Sequence, residues 1–91
     1  MDEDGWWRFL QVCLKTKTPE MLNEFFHVFL TPEERADISK RILIVQELLK
    51  GEKTQREMAK DLEVSIAKIT RGSNELKGTS EKLKQFLKRS L

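Results

Sequence analysis

The run from Gln55 to Asn74 holds the residue types and spacing best suited to chemistry in this 91-residue chain. That chemistry is the reading of a DNA duplex. A helix-turn-helix needs two short helices crossing steeply, with a small residue where the second passes over the first. Ala59 is that small residue, and Met58, Leu62, Val64, Ile66 and Ile69 are spaced to anchor both helices and the turn. Ser65 is placed to cap the second helix with its hydroxyl. With Ile66 and Ile69 toward the core, Ala67, Thr70, Arg71 and Asn74 share the opposite face at i, i+3, i+4 and i+7. Residues at the start of the second helix reach base edges in the major groove. Ile66 and Ala67 suit a thymine methyl, and Lys68 a guanine edge or a phosphate. Gln55 and Arg56 open the first helix, where Arg56 would pair with backbone phosphate. The same pattern would also build a three-helix core that never meets DNA. One position departs from the motif: Glu63 stands where the turn usually takes glycine. A left-handed backbone there costs about 1 kcal/mol or somewhat more.

Other chemistry finds no support. The single histidine, His27, and the single cysteine, Cys13, make neither a metal-ligand cluster nor a nucleophile-base pair. His27 lies beside an apolar run and reads as a satisfied interior or edge residue. No glycine loop suited to cradling a phosphate is present. An enzyme is the least supported class.

The elements that must position these residues are helices, with no alternating strand pattern. A first helix is expected from about Gly5 to Lys15, carrying Trp6, Phe9, Leu10, Cys13 and Leu14 at helical spacing. Thr18-Pro19 starts a second, with Thr as cap and Pro at the first helical position. That helix bears Met21, Leu22, Phe25, Phe26, Val28, Phe29 and Leu30, too many for one stripe. We expect it to be buried all round. In so short a chain that burial calls for a second subunit, hence a homodimer. Trp6 and Trp7 are expected to divide between core and subunit contact.

Thr31-Pro32-Glu33-Glu34 opens a third and longest helix with a capping box. Ile38, Ile42, Val45 and Leu49 recur along it until Gly51 stops it. Thr54-Gln55-Arg56-Glu57 is a second capping box, and Gly78-Thr79-Ser80 restarts a last helix with Leu83, Phe86, Leu87 and Leu91.

The net charge of +2 hides a division. Through Asp37 there are eight acids against four bases; from Ile38 onward thirteen bases face seven acids. A basic second part suggests a polyanionic partner. No stretch approaches the ~20 apolar residues of a membrane span, and no signal peptide opens the chain. A lone cysteine fits a reducing compartment, so a cytoplasmic location is expected.

Certain runs resemble the tryptophan repressor family. They are Leu30-Thr31-Pro32-Glu33-Glu34-Arg35, the segment Arg41 to Glu52, Gln55-Arg56-Glu57, and above all Ile66-Ala67-Lys68-Ile69-Thr70-Arg71-Gly72-Ser73-Asn74 followed by Leu76-Lys77. The match is close from Leu30 to Lys77, and the flanking helices agree in pattern. The resemblance implies an all-α, intertwined homodimer of about six helices that represses tryptophan-related genes when L-tryptophan binds as corepressor. It implies that Arg41 and Arg71 sandwich the indole and that Arg71 also holds the carboxylate. Thr31 of the other subunit would assist, the carbonyls of Val28 and Leu30 would receive the amino group, and Gly72 and Glu75 would complete the ligand site. Guanidinium planes stack on aromatic faces and fork onto carboxylates, which suits an aromatic amino acid. Without the resemblance, Arg41 and Arg71 read as an ion-pair donor and a phosphate contact. The expected DNA-contacting set is Gln55, Arg56, Ile66, Ala67, Lys68, Thr70, Ser73, Asn74 and Lys77.

The chain departs from the family pattern in places. Glu75 replaces a serine that helps hold the ligand's ammonium, and its carboxylate is expected to take over that role. Ala59 and Lys68 replace other polar residues, so the DNA sequence read is expected to be shifted. Only Met1 to Asp4 precede the first helix, where some members have a longer arm.

The chain therefore reads as a single domain. Residues 1–53 hold dimerisation and scaffold helices, 54–77 the helix-turn-helix, and 78–91 a C-terminal dimerisation helix. The function expected is L-tryptophan-dependent repression at palindromic operator DNA, with no cofactor beyond that ligand and no metal. The alternatives are a regulator that is constitutive or answers another indole, and a dimeric protein-interaction module.

Overall fold

The computed structural model describes residues 3–91, and those residues form six helices and no strand. They are α1 (Glu3–Lys15), α2 (Pro19–Phe29), α3 (Pro32–Lys50), α4 (Gln55–Leu62), α5 (Ile66–Lys77) and α6 (Glu81–Ser90). The first helix begins at Glu3 rather than near Gly5, and Met1 and Asp2 lie outside the described residues. The chain divides into two compact units, one ending at Arg35 and one from Ala36 to Leu91.

Caps set the helix boundaries as their side chains dictate. The Thr18 hydroxyl accepts from the Met21 amide at 3.1 Å with Pro19 next in line. Thr31 and Glu34 exchange bonds of 2.8 and 3.1 Å, and Thr54 and Glu57 exchange bonds of 2.9 and 3.1 Å. Both are reciprocal capping boxes that satisfy otherwise orphaned amides. Ser65 and Ser80 cap α5 and α6 through the amides of Lys68 and Leu83, each at 3.2 Å. Gly51, at φ 66°, terminates α3.

The first unit is an aromatic cluster. Phe9 of α1 faces Phe25, Phe26 and Phe29 of α2 with ring centroids 5.3, 6.1 and 5.6 Å away, and Trp6 stacks on Phe9 at 5.6 Å. The expectation that α2 is buried all round is not met within one chain: no residue of α2 is buried. A single partner helix covers one side only, so Met21, Val28 and Phe29 stay exposed, Val28 at 77%. Trp6 and Trp7 are likewise both exposed within one chain. His27 sits at the exposed edge, its Nδ1 2.7 Å from the Asn23 carbonyl.

The second unit encloses a small core built from one side chain on each of three helices. Ile44 (2% exposed), Met58 (3%) and Ile69 (0%) are buried. Leu48, Ala59, Leu62 and Val64 pack half-buried against them. Two sequence expectations shift here. The sealed residue of α3 is Ile44, with Leu48 beside it, whereas Ile38 and Ile42 of the expected stripe are exposed. Of the two isoleucines expected to anchor α5, Ile69 is fully enclosed, whereas Ile66, the first residue of the helix, is exposed.

The turn between α4 and α5 adopts the left-handed backbone that its sequence disfavours. Glu63 has φ 55° and ψ 48°. Its amide donates to the Lys60 carbonyl at 3.3 Å, and the Val64 amide donates to the Ala59 carbonyl at 3.0 Å. This is a Schellman closure, and Val64 and Ala59 provide its apolar contact on the core. The bonds hold a residue with a Cβ where glycine would be unstrained.

Candidate functional site

Along α3, Asp37, Lys40, Arg41, Ile44 and Val45 recur at helical spacing. Along α5, Lys68, Arg71, Gly72, Glu75 and Leu76 repeat the same i, i+3, i+4, i+7, i+8 pattern. The two stripes face each other across a cleft of about 560 Å³, which Thr79 and Leu87 also line. That size lies in the ordinary range for small-molecule sites. The cleft wall is apolar at Ile44, Val45, Leu76 and Leu87. Its rim carries four cations (Lys40, Arg41, Lys68 and Arg71) against two carboxylates (Asp37 and Glu75). An excess of positive charge beside an apolar wall suits a ligand with a flat hydrophobic body and a carboxylate.

Gly72 sets how closely α5 approaches α3. A Cβ on it would lie 3.1 Å from Ile44 Cγ2 and 3.6 Å from Leu48 Cδ1. The hydrogen there lets a recognition helix pack directly on the scaffold. Lys40 fixes the neighbouring helix: its Nζ donates to the Leu62 carbonyl at 2.8 Å, satisfying one free acceptor at the end of α4. Across the rim, Lys68 Nζ lies 3.7 Å from Asp37 Oδ1.

Of the residues expected to hold a ligand, Arg41, Arg71, Gly72 and Glu75 all line this cleft. Thr31, Val28 and Leu30 belong to the first unit. There the Thr31 hydroxyl caps Glu34, and the Leu30 carbonyl accepts from Arg35 Nη1 at 2.8 Å. Sequence reasoning missed Asp37, Lys40, Thr79 and Leu87. The repeating stripe on α3 was a readable signal for the first two. Nothing local pointed to the others, which reach the cleft only through the fold.

The expected DNA-contacting residues fall into three groups. Arg56, Ile66, Ala67, Thr70 and Asn74 are exposed. Thr70 Oγ1 donates to Gln55 Oε1 at 3.0 Å, tying the recognition helix to the first turn of α4. Lys68 is exposed but turned to the cleft rim beside Asp37. Ser73 and Lys77 line a separate groove on the other side of α5.

The entrance to α4 is charged. Lys53 Nζ lies 2.8 Å from Asp61 Oδ2 and 3.8 Å from Glu47 Oε2. The hydrogen bond to Asp61 raises the Lys53 ammonium above its ordinary pKa, and the same bond lowers Asp61. Glu57 is lowered by the backbone amide of Thr54, then by its side chain. Among the described residues no group of histidine, cysteine or carboxylate side chains could hold a metal ion. No helix among them is long and apolar enough to cross a membrane.

Comparison with known proteins agrees with this architecture. The profile of the family described as "Trp repressor protein" matches residues 4–91. A Trp operon repressor homolog of Chlamydia caviae is 54% identical over 87 residues, covering 96% of this chain and 86% of the relative. The Trp operon repressor homolog of Chlamydia trachomatis serovar L2 is 46% identical over 90 residues, covering 99% and 96%. That of Vibrio parahaemolyticus is 40% identical over 83 residues, covering 91% and 81%. With the helix-turn-helix of α4 and α5 packed on α3, these matches show that the chain belongs to the Trp repressor protein family.

Proposed function

We propose that this chain is an L-tryptophan-dependent transcriptional repressor that binds palindromic operator DNA as a homodimer in the cytoplasm. The observation that carries the reading is the cleft between scaffold and recognition helices, with Arg41 and Arg71 on its rim. The indole would lie between the two guanidinium planes, with the carboxylate forked by Arg71. Glu75, on the same rim, would take the ammonium. Thr31 of a second subunit and the Val28 and Leu30 carbonyls would complete the cage. A ligand seated there supports one spacing of α5 from α3, so it shifts the population toward heads set about one DNA turn (~34 Å) apart. Ala67, Thr70 and Asn74 would then meet base edges, with Gln55, Arg56, Ser73 and Lys77 along the backbone.

Residues 1–53 and 78–91 would carry dimerisation around the reading head of residues 54–77. The exposed Met21, Val28, Phe29, Ile38, Ile42, Leu83 and Phe86 support this, since a monomer gains nothing from so much open apolar surface.

The test is an operator titration with and without L-tryptophan at one salt concentration, because salt alone changes affinity steeply. Tighter operator binding with the amino acid is expected; equal affinity in both arms refutes corepression. Calorimetry separates the ligand chemistries. Glu75→Ala should weaken L-tryptophan but leave indole-3-propionate, which lacks the ammonium, unaffected. Unchanged tryptophan affinity would remove Glu75 from the site.

A further inference from the structure

A second groove, of about 260 Å³, lies between α3, α5 and α6. Its floor is Leu48, Leu49 and Leu76, and its rim carries Ser73, Lys77, Lys84 and Lys88 with no carboxylate among the lining residues. We propose that this groove seats the phosphodiester backbone of duplex DNA, making α6 part of the DNA-binding surface. The inference rests on the repressor reading above and extends its contact surface beyond the helix-turn-helix.

Charge is the first argument. Three lysines elsewhere in this unit find carboxylates, Lys50 at 3.8 Å, Lys53 at 2.8 Å and Lys68 at 3.7 Å, while Lys40 bonds the Leu62 carbonyl and Lys60 and Lys82 stand apart from one another on the surface. Among the described residues, no carboxylate lies within ion-pairing distance of Lys77, Lys84 or Lys88. Glu81, the acid at the start of α6, is 3.3 Å from Gln85 instead. In a chain with nearly as many acids as bases, three uncompensated ammonium groups around one depression create a local field that favours a polyanion.

Shape is the second. The leucine floor gives the lysine methylenes an apolar bed, leaving the ammonium groups free at the rim. Lys84 and Lys88 are one helical turn apart, about 6 Å along α6. Phosphates on one strand advance about 3.4 Å along the duplex axis each. Two lysines at this spacing therefore span about two phosphates. Continuity is the third argument: Ser73 and Lys77 belong to α5, the recognition helix, so a strand held there runs on toward Lys84 and Lys88. Helical spacing sets both lysines to one side of the exposed Leu83 and Phe86, so the groove makes no claim on that apolar stripe.

The experiment compares the intact chain with Lys84→Gln/Lys88→Gln by fluorescence anisotropy, at saturating L-tryptophan. Operator and scrambled duplexes are each titrated between about 50 and 200 mM salt. A Lys82→Gln/Arg89→Gln control removes equal charge from α6 outside the groove. The groove variant should flatten the log affinity against log salt slope by about 1.8 per bound chain, at about 0.9 per lost phosphate contact. Both duplexes should lose affinity about equally, and tryptophan affinity should hold. Lys84→Arg/Lys88→Arg should restore the slope, and helical circular dichroism checks that each variant folds. A slope equal to that of the intact chain, or a loss matched by the control, overturns the proposal while tryptophan-dependent operator binding persists. Displacement of scrambled duplex by an acidic peptide more readily than by free duplex would assign the groove to a protein and also overturn it. Failure of the parent reading is distinct: the intact chain would show no tryptophan-dependent operator preference at all.

Discussion

Replacing Gly72 by alanine tests whether close helix approach shapes the cleft. Two effects oppose each other. Alanine in a helix interior is favoured over glycine by about 1 kcal/mol. Against it, the new Cβ would sit 3.1 Å from Ile44 Cγ2, a few tenths of an ångström inside ordinary contact. Ile44 is 2% exposed and wedged among Met58 and Ile69, so it cannot swing into solvent; α5 must move or the core must strain. Overpacking of this kind costs about 1–3 kcal/mol, which leaves a net loss of about 1 kcal/mol. For a chain this size that lowers the melting temperature by about 4–8 °C, measured at one fixed protein concentration. Because Gly72 also lines the cleft, L-tryptophan affinity should fall with stability. A double-mutant cycle isolates the contact. Ile44→Ala alone should cost about 2–5 kcal/mol, and the combined variant should be less damaging than the sum by about 1 kcal/mol. Strict additivity, or a Gly72→Ala protein stabilised by the full helix-propensity gain, would refute the steric account.

Arg71→Lys keeps the charge but loses the planar fork; tryptophan affinity should fall tenfold or more by calorimetry, following the roughly 1.5–3 kcal/mol of a charge-assisted hydrogen bond. Glu63→Gly removes left-handed strain at φ 55° and should stabilise the fold by up to about 1 kcal/mol in urea denaturation, after the greater freedom of glycine in the unfolded chain is counted. Acid should weaken the fold: Asp61 and Glu57 have lowered folded-state pKa values, so their stabilisation is present above the ordinary carboxylate range and disappears as pH falls through those lowered values. Asp61→Asn should flatten that loss below about pH 4, and in the same variant Lys53 should no longer favour folding through this pair. A pH profile identical to that of the unmodified chain would show that the bridge contributes nothing.

Local rules were readable from the sequence where they depend on neighbours in the chain. Thr18, Thr31, Thr54, Ser65 and Ser80 all cap as their hydroxyls require, and five of the six helices, α2 to α6, start from them. Ala59 and Ile69 pack where a steep crossing demands it. Periodicity alone does not tell which chain covers a face: α2, and α3 at Ile38 and Ile42, carry more apolar residues than one chain encloses. Four of the seven expected ligand residues share the cleft, because both arginines sit on stripes of fixed spacing. Long polar side chains were the least legible. Lys40 could have reached solvent, yet it bonds the Leu62 carbonyl, and Lys68 turned from the expected DNA face toward Asp37. Such choices depend on partners 22 or 31 positions away, which no local pattern encodes.

The interior of the second unit takes one side chain each from α3, α4 and α5, and leaves Ala67 and Asn74 wholly outside it. On the proposed reading of these two residues as base contacts, address and architecture are written in separate letters. Substitutions at those outward positions would redirect the protein to a new target without touching what keeps it folded.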